Sequence, residues 1–368
     1  MIRLIRPYIS FEEVESELRS MFESGIFTRG TNVEKFRNQI SNYTGAPNTF
    51  LTTSATTALW LCLKRLNVQP NDEVIVSDFS FPATANVVED LGATPIFVDV
   101  SLETYNILPD ALEAAITPKT RAVIVVDAFG NPTGLHKVAE ICTAHNIPLI
   151  EDAACAIGSS EAGQKCGNIA DMTCFSFHPR KLLTTGEGGA ITIKTSDWNA
   201  WFERKLGHGA QGMAGFGLDF VDYGYNFRMS EPQAVMGCAQ IGKLDDIVCE
   251  RNQVRDAYTA KLRSTGFVPQ QIGPDVVYNV QSLVFRVPAD VDRDRLITEL
   301  REDGVETTIG TYCMSGCTYY REKYASVQPN AELLQQTTIT LPCYAGVDVD
   351  FVCDRILSRS SGMQVVSA

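Results

Sequence analysis

One lysine follows an apolar segment in a context that could give it covalent chemistry. The segment FSFHPRKLLTTGEGG, residues 175–189, runs from a predicted buried strand into a proline-containing turn that carries Lys181. A lysine held at the end of a sheet under aromatic cover loses hydration, and this loss lowers the pKa of its ammonium group as a Schiff-base lysine requires. Taken alone, Lys181 could equally be a solvated loop lysine, because lysines are rarely buried.

Two acids end a second predicted strand. IPLIEDAACAIGS, residues 147–159, is apolar up to Glu151 and Asp152. Open α/β sheets bind ligands beyond the carboxyl ends of their strands, where a carboxylate can face a cationic ring nitrogen. Pyridoxal phosphate (PLP) needs such a partner, because a protonated pyridine nitrogen preserves the ring as an electron sink. A strand-end aspartate is also a common helix N-cap, so both interpretations stay open.

A Ser/Thr-rich turn is a candidate phosphate site. In LTTSATTALWLCL, residues 51–63, a strand leads into a helix whose first backbone amides could cradle a phosphate together with the hydroxyls of Ser54, Thr56 and Thr57. An ordinary helix cap would have the same sequence pattern.

An aromatic segment follows another predicted strand at the same edge of the sheet. SDFSFPATAN, residues 77–86, places Phe79 and Phe81 directly after the strand. A phenylalanine ring there could stack on a planar cofactor. Either ring could instead belong to the core.

These four segments can form one site only if the strands before them end at the same edge of one sheet. Short β-rich runs alternate with amphipathic helical segments up to residue 193, and this alternation predicts an α/β fold with a mostly parallel seven-stranded sheet between helices. The predicted helices are 55–66, 84–91, 109–116 and 137–145. The predicted strands are 49–52, 73–76, 94–98, 121–126, 147–150, 172–177 and 190–193.

The sequence after Pro232 changes to one long helical pattern that continues to Gly266. Beyond it, a strand at 282–287, a helix at 293–303 and a strand at 338–341 predict a smaller C-terminal α+β domain. We therefore predict a large PLP-binding domain over 1–245, whose N-terminal segment packs on the small domain, and a small domain over 246–368.

Composition excludes several classes of protein. The 368 residues carry 31 Lys and Arg against 44 Asp and Glu, a net charge of −13, which opposes binding to nucleic acid or anionic lipid. No apolar run reaches the length of a membrane span or a signal peptide, so the expected location is the cytoplasm. The 11 cysteines lack zinc-ligand spacing, so we expect reduced thiols and no metal.

Taken together and in order, these motifs resemble those of the DegT/DnrJ/EryC1/StrS sugar aminotransferases, which are PLP enzymes of fold type I. The resemblance covers nearly the whole chain, and several motifs in order are far more specific than one. The segments that carry it are RPYIS, SGIFTRG, NDEVIVSDFSFPATAN, GATPIFVDV, LIEDAACAIGS, FSFHPRKLLTTGEGG, GYNFRMSEPQA and ITLPCY.

The resemblance implies roles residue by residue. Lys181 would form the Schiff base, and Asp152 would pair with the pyridine nitrogen. Asn226 would reach the cofactor of the neighbouring subunit in a homodimer with shared active sites. The implied substrate-binding residues are His208 and Arg228. The implied cofactor-binding residues, with Ser176 and the turn at 54–56 on the phosphate and Phe81 on the ring, are Ser54, Ala55, Thr56, Phe81, Asp152, Cys155, Ser176, Lys181 and Asn226.

The chain departs from the family pattern at three places. It has Ala55 where the family often has glycine, and Cys155 where the family commonly has a glutamine that donates to the cofactor's phenolic oxygen. Thiols are weak donors, so Cys155 implies different electronic tuning. Residues 310–320 contain no histidine, although the corresponding family region does, which implies a different substrate pocket.

The expected reaction is transfer of an amino group from glutamate or glutamine to a keto sugar, with a nucleotide-linked sugar as the expected acceptor. A PLP-dependent sugar dehydratase is one alternative, although such enzymes resemble this family with histidine in place of Lys181. A cyclitol or aminohydroxybenzoate enzyme of the same family is another. A non-catalytic regulatory protein that binds DNA is disfavoured by the net charge and by the lack of a basic helix-turn-helix pattern.

Overall fold

Helices and strands alternate through the first half of the chain, as described by a computed structural model of residues 1–360. The helices are α1 (Glu15–Ser24), α2 (Thr31–Thr44), α3 (Ala55–Arg65), α4 (Ala83–Asp90), α5 (Pro109–Ala114), α6 (Leu135–Ala144), α7 (Asn199–Leu206), α8 (Glu231–Ile241), α9 (Leu244–Leu262), α10 (Arg293–Glu302), α11 (Thr318–Tyr324), α12 (Pro329–Thr337) and α13 (Val349–Ser360). The strands are β1 (Asn48–Thr52), β2 (Glu73–Ser77), β3 (Phe79–Ser80), β4 (Thr94–Val98), β5 (Thr120–Val126), β6 (Leu149–Asp152), β7 (Ser160–Glu161), β8 (Gln164–Lys165), β9 (Met172–Ser176), β10 (Gly189–Ile193), β11 (Ala210–Ala214), β12 (Gly217–Phe220), β13 (Val268–Pro269), β14 (Val276–Val277), β15 (Leu283–Arg286), β16 (Thr308–Ile309), β17 (Tyr312–Cys313) and β18 (Thr338–Leu341).

The seven strands predicted for the first half form one sheet in the order β1-β10-β9-β6-β5-β2-β4. Strands β9, β6, β5, β2 and β4 are parallel, whereas β10 runs antiparallel to both of its neighbours. The two faces of β2 pack on different helices, Val74 and Val76 with α3 and α4, and Ile75 with α5 and α6. Both faces are therefore buried, which explains the continuous apolar runs in the sequence.

The single long helix predicted after Pro232 is wrong, because the structure has two helices there. The first, α8, ends at Ile241, and the second, α9, begins at Leu244. Lys243 between them has φ −111° and ψ 11°, outside the helical region. Glycine is costly inside a helix, and the acids that follow, Asp245 and Asp246, favour a new helix N-terminus.

Helix α8 packs closely on α2 through a glycine. A Cβ atom added to Gly237 would lie 2.4 Å from the ring of the fully buried Phe36, so only glycine permits this approach. A Cβ atom added to Gly242, at the end of the same helix, would meet nothing within 4 Å.

The C-terminal elements form a second, antiparallel sheet in the order β13-β15-β18-β16. Phe285, Leu296 and Ile356 share one apolar cluster in which this sheet, α10 and α13 meet. The predicted strands and helix of this region are thereby confirmed within two residues. Residues 361–368 lie outside the described chain, and the division at residue 245 stays a prediction.

No helix within residues 1–360 is long and apolar enough to cross a membrane. All eleven cysteines are free thiols, and the Sγ atoms of Cys62 and Cys174 lie 3.6 Å apart in the core.

Candidate active site

The predicted acid and one predicted phosphate ligand lie on neighbouring strands of the central sheet. Asp152 is the last residue of β6, and Ser176 is the last residue of β9. In the parallel pairing of these strands, Asp152 is opposite Cys174, so both strands end at the same edge. The turn that carries Lys181 begins directly after β9.

Asp152 is a buried carboxylate with few partners. Its Oδ2 accepts a hydrogen bond of 2.8 Å from the Thr84 hydroxyl, and its Oδ1 accepts one of 3.2 Å from the Ala154 N–H. Burial raises the pKa of Asp152, whereas the Thr84 hydroxyl and the positive charge of Lys181 act in the opposite direction. No helix begins within residues 153–159, so the alternative interpretation of Asp152 as a helix N-cap is wrong.

Lys181 lies over this edge of the sheet in a tightly held turn. Its Nζ donates to Cys155 Sγ at 3.1 Å. The side chain of Gln281 accepts from the Leu182 N–H at 2.7 Å and donates to the Arg180 carbonyl at 2.8 Å, so the peptides on both sides of the lysine are fixed. The amine therefore has a defined position, next to the cysteine that replaces the family's glutamine.

The turn into α3 has the geometry of an anion cradle. Ser54 caps the helix, and its hydroxyl accepts from the Thr57 N–H at 3.2 Å. The N–H groups of Ala55 and Thr56 have no acceptor within residues 1–360 and are free to bind a ligand. The cap and the phosphate interpretations of this turn are therefore compatible.

Gly189 brings that cradle against the sheet. It pairs with Thr52 on one side and with Ser176 on the other. A Cβ atom at this position would lie 2.5 Å from the Ser54 carbonyl carbon and 2.7 Å from the Ala55 nitrogen. Only glycine lets the first turn of α3 approach β10 this closely, next to the paired Ser176, and the resulting set of donors fits a phosphate group.

The two aromatic residues of the third motif differ in exposure. Phe79 is 1% exposed and belongs to the core, whereas Phe81 is 64% exposed. The Phe81 ring lies 6.4 Å from the Tyr312 ring. Phe81 is therefore available to stack on a planar group, and Phe79 is not.

A buried acid that the sequence analysis did not single out holds the loop that carries Tyr312. Asp78 accepts from the Ser315 N–H at 2.6 Å, the Ser315 hydroxyl at 2.7 Å and the Cys313 thiol at 3.2 Å. Burial raises its pKa to about 6, against these hydrogen bonds. Asp78 thus ties the histidine-free segment to the end of β2, and the signal that could have found it is an acid directly after a buried strand.

A second cluster of buried acidic side chains lies next to Asp152, at the ends of β5 and β6. Candidate ligand atoms of Asp127, Glu151 and Cys166 lie within 4.8 Å of one another, and all three residues are buried. Asp127 Oδ2 and Glu151 Oε1 have no hydrogen-bond partner within residues 1–360. Burial, followed by the nearby Glu151, raises the pKa of Asp127, and burial raises the pKa of Glu151, so both shifts favour the protonated carboxyl.

The structure does not bring Asn226, His208 and Arg228 into hydrogen-bond contact with Lys181 or Asp152 within residues 1–360. Asn226 is exposed and pairs with Gly207, next to the exposed His208. Arg228 donates to the Leu206 carbonyl at 3.3 Å, and its pKa is lowered by burial and by the charge of a second arginine. These residues lie near the base of the β11–β12 hairpin.

The sequence profile of the DegT/DnrJ/EryC1/StrS aminotransferase family matches residues 9–357. The chain belongs to this family. It is 31% identical over 360 residues to the GDP-perosamine synthase of Caulobacter vibrioides, covering 95% of this chain and 96% of that protein. It is 31% identical over 366 residues to the spore coat polysaccharide biosynthesis protein SpsC of Bacillus subtilis, covering 95% and 94%.

Solved aminotransferase structures have the same fold. The PLP form of the sugar aminotransferase Spr1654 from Streptococcus pneumoniae, which is described as putative, superposes with a TM-score of 0.91 at 29% identity and covers 99% of this chain and 100% of that one. Membership of the DegT/DnrJ/EryC1/StrS aminotransferase family confirms the predicted enzyme class and the predicted cofactor, PLP.

Proposed function

We propose that this aminotransferase transfers an amino group from glutamate or glutamine to a nucleotide-linked keto sugar, with Lys181 as the lysine that holds PLP. The observation that carries the proposal is one sheet edge at which Lys181, the buried Asp152 and the free amides of Ala55 and Thr56 meet. The name of the relatives that make GDP-perosamine supports a nucleotide-linked acceptor.

The residues present fit PLP group by group. The α3 cradle with Ser176 offers donors for the phosphate, Phe81 offers an exposed ring for stacking, and Asp152 offers a carboxylate for the pyridine nitrogen. When bound, PLP supplies the electron sink that makes a carbon–hydrogen bond of the donor acidic. The donors from Thr84 and Ala154 favour the ionised form of Asp152, which is the form this pairing needs.

Lys181 has two tasks in this reaction. It holds the cofactor covalently between turnovers, and its free amine moves a proton to or from the donor carbon during turnover. Fixation of the turn by Gln281 keeps the Nζ atom close to one position, which such a proton transfer requires. Cys155 contacts Nζ directly, so this thiol belongs to the immediate surroundings of the reacting amine.

His178 does not replace Lys181 in this arrangement. The Nδ1 atom of His178 accepts from the Arg180 N–H at 3.2 Å, so the imidazole ring stabilises the turn at residues 178–180. Burial lowers its pKa. The presence of Lys181 over Asp152 supports an aminotransferase and not the dehydratase alternative.

We also propose a cytoplasmic homodimer with shared sites. Asn226 is exposed and pairs with Gly207, and within residues 1–360 it makes no hydrogen bond to Lys181 or Asp152. The adjoining β11–β12 hairpin presents apolar side chains to solvent, with Met213 64%, Phe216 107% and Phe220 59% exposed. Exposed apolar side chains grouped in this way are typical of an interface. The free thiols of the described chain support a reducing compartment.

The experiment that tests the proposal traps the lysine. Borohydride reduction of the PLP-loaded enzyme, followed by peptide mapping, should place the pyridoxyl group on Lys181. Addition of glutamate or glutamine before reduction should prevent the labelling and shift the cofactor spectrum. Lys181→Ala should bind cofactor without a covalent bond, and labelling of any other lysine would refute the assignment.

A further inference from the structure

Residues 279–281, just before β15, contact both members of the amine–thiol pair that Lys181 and Cys155 form. Gln281 makes hydrogen bonds to the peptides on both sides of Lys181. Asn279 makes a hydrogen bond to the backbone of Cys155, whose Sγ atom accepts from Lys181 Nζ. We call residues 279–281 the bridging segment, because side chains only two positions apart hold the two partners of this contact.

The side chain of Asn279 fixes the loop that carries the thiol. Its Nδ2 atom donates to the carbonyls of Cys155 and Ile157, both at 2.8 Å, and its Oδ1 atom accepts from the Gln281 N–H at 2.9 Å. The backbone N–H of Asn279 donates to the Ser159 hydroxyl at 3.1 Å. Asn279 is fully buried, so water does not compete for these hydrogen bonds. The loop is therefore held at three of its residues by one asparagine.

The backbone between the two side chains has an unusual conformation. Val280 has φ +53° and is fully buried in the apolar cluster of the C-terminal sheet. A positive φ is a genuine outlier for a β-branched residue. Such a conformation persists only where the surrounding structure imposes it, and these conformations are frequent at functional sites. The contacts of the bridging segment therefore determine its shape.

A buried arginine of α9 supplies those contacts. The Nε atom of Arg251 donates to the Val280 carbonyl at 2.7 Å, and its Nη2 atom donates to the Gln281 carbonyl at 3.1 Å. Its Nη1 atom donates to the carbonyl of Cys343, which lies just after β18. The bridging segment is thus attached to a helix and lies between two regular strands, and such a support holds side chains more precisely than a free loop does.

We propose that the bridging segment sets the contact between Lys181 Nζ and Cys155 Sγ, and that Asn279 and Gln281 are thereby positioning residues for the proton transfer assigned to Lys181. This inference rests on the proposed function. Within residues 1–360 neither Asn279 nor Gln281 makes a hydrogen bond to Nζ, so both act through the backbone that carries the reacting groups. The thiol of Cys155 receives the amine whenever Lys181 is free of the cofactor, which returns the amine to one place in every cycle.

The expected effect of losing this support is large. A displacement of about 1 Å at a reacting group can slow a reaction about a hundredfold, even when the substituted residue is far from the chemistry. The groups that bind the donor are not altered by the bridging segment. We therefore expect its variants to change the rate of proton transfer and to leave the KM for the donor unchanged.

The chain contains a matched control for each positioning residue. Asn106 has the bonding pattern of Asn279, because its Nδ2 atom donates to two carbonyls and its Oδ1 atom accepts from a backbone N–H. Gln270 is buried as Gln281 is, and its side chain donates to two carbonyls. Neither control makes a hydrogen bond to residues 153–159 or 180–182 in the described part of the chain.

The first measurement is the donor half-reaction of the PLP-loaded, full-length enzyme, with glutamate or glutamine and with the same donor deuterated at its α-carbon. Asn279→Ala and Gln281→Leu should slow this half-reaction about tenfold or more and increase the deuterium isotope effect, because the amine then moves the α-proton from a poorer position. Asn106→Ala and Gln270→Leu should keep the wild-type rate and isotope effect, even where they lower the melting temperature.

The second measurement requires no turnover. PLP is added to the cofactor-free enzyme, and its covalent attachment to Lys181 is followed by the cofactor spectrum and by borohydride labelling. Attachment should be slower in Asn279→Ala and Gln281→Leu than in the two controls. Cys155→Ala leaves the bridging segment intact and removes only the thiol, so it should slow attachment as well, whereas Cys155→Ser keeps an acceptor and should retain more of the rate.

The outcomes separate this inference from the function on which it rests. Wild-type isotope effects and attachment rates in Asn279→Ala and Gln281→Leu would overturn the positioning role, and so would equal changes in the controls. If those two variants do not fold, wild-type behaviour of Cys155→Ala overturns it. Labelling of another lysine would refute the proposed function together with this inference, whereas labelling of Lys181 with unchanged kinetics in all variants would refute this inference alone.

Discussion

At the scale of single residues, Asp152 at the end of β6 differs from an ordinary surface aspartate because its carboxylate is buried and shielded from bulk water. Asp152 retains only a hydroxyl and one N–H as donors, and Lys181 supplies the nearby positive charge. In the absence of cofactor, this carboxylate carries a desolvation cost that a cationic ring nitrogen would offset. The site is thus prepared for a positive partner.

The variant Asp152→Asn should lose turnover without losing thermal stability. An amide cannot hold a proton on the pyridine nitrogen, so turnover should fall about a hundredfold or more. The cofactor-free variant should melt no lower than the wild type at pH 8, because the buried charge is gone, the amide oxygen accepts from the Ala154 N–H, and the Thr84 hydroxyl can accept from the amide N–H and donate to Ser80. Steady-state kinetics and calorimetric melting check the two expectations, and wild-type turnover would refute the pairing.

The carboxyl pair of Asp127 and Glu151 predicts a dependence of stability on pH. Its pKa values are raised in the folded state, so its stabilising contribution is complete below the ordinary carboxyl pKa and is lost as pH rises through the raised values. Asp127→Asn replaces this carboxyl with a group that does not ionise, so its contribution to the loss of stability at high pH disappears. The variant should therefore melt roughly 2–4 °C above the wild type at pH 8, with the difference vanishing towards pH 4.

Asp303 provides a control, because its contribution to stability should depend on pH in the opposite direction. Hydrogen bonds from Arg359 lower the pKa of Asp303, so Asp303 stabilises the fold above the ordinary carboxyl pKa. Asp303→Asn should lose stability at pH 8 and approach the wild type towards pH 4. If the melting temperatures of both variants changed in parallel over this pH range, the raised pKa values of Asp127 and Glu151 would be contradicted.

Residue types and order predicted Lys181, Asp152 and the turn at 54–56 as site residues, because each follows a recognisable strand. They could not identify Thr84 as the partner of Asp152 or Asp78 as the anchor of residues 313–315. Those contacts join segments far apart in the sequence, and a hydroxyl or a carboxylate has no pattern that names its distant partner.

At the scale of elements, the strands of the central sheet were predictable and the boundary between α8 and α9 was not. The strands of the central sheet are buried on both faces, so their apolar runs are continuous and end sharply. The break between α8 and α9 left no such signal, because helical periodicity continues through Gly242 and Lys243. The backbone change there is confined to one residue outside the helical region.

Gly237 within α8 and Gly242 directly after it should respond oppositely to substitution by alanine. Gly242 has φ −69° and an open Cβ position, so Gly242→Ala should raise the free energy of unfolding by about 0.5–1 kcal/mol. Gly237→Ala should lower it by about 1–3 kcal/mol, because the methyl group would overlap the buried ring of Phe36. Urea denaturation measures both, and destabilisation by Gly242→Ala would show that the break needs glycine.

At the scale of the whole molecule, the exposed Asn226 and the apolar hairpin beside it suggest that one chain does not complete a site alone. A two-fold interface presents the same surface twice, so each chain would supply Asn226 to the site of the other. Phosphate recognition would then depend on assembly as well as on folding.

Mixing two inactive variants tests the shared site. Lys181→Ala and Asn226→Asp should each be inactive, the second because a carboxylate would oppose the cofactor phosphate. After subunit exchange, half of the dimers should be mixed, and each mixed dimer would contain one intact site. Roughly a quarter of the wild-type activity should return. Each variant exchanged with itself is the control, and no recovery in the mixture, or a monomer on sizing, would contradict the shared site.

The placement of Gly189 bears on how the chain acquires its cofactor during synthesis. Thr52 at the end of β1 pairs with Gly189 at the start of β10, so the cradle beside Ser54 closes only when two widely separated parts of the chain meet. Contacts of such long range form slowly, because loop closure costs entropy before the contact is gained. A nascent chain interrupted before β10 has synthesised its first amides, its acid and its lysine turn, yet lacks the strand that joins them. We therefore expect cofactor capture to be a late event, so PLP added during refolding should stabilise the refolded enzyme without changing the rate of the early steps.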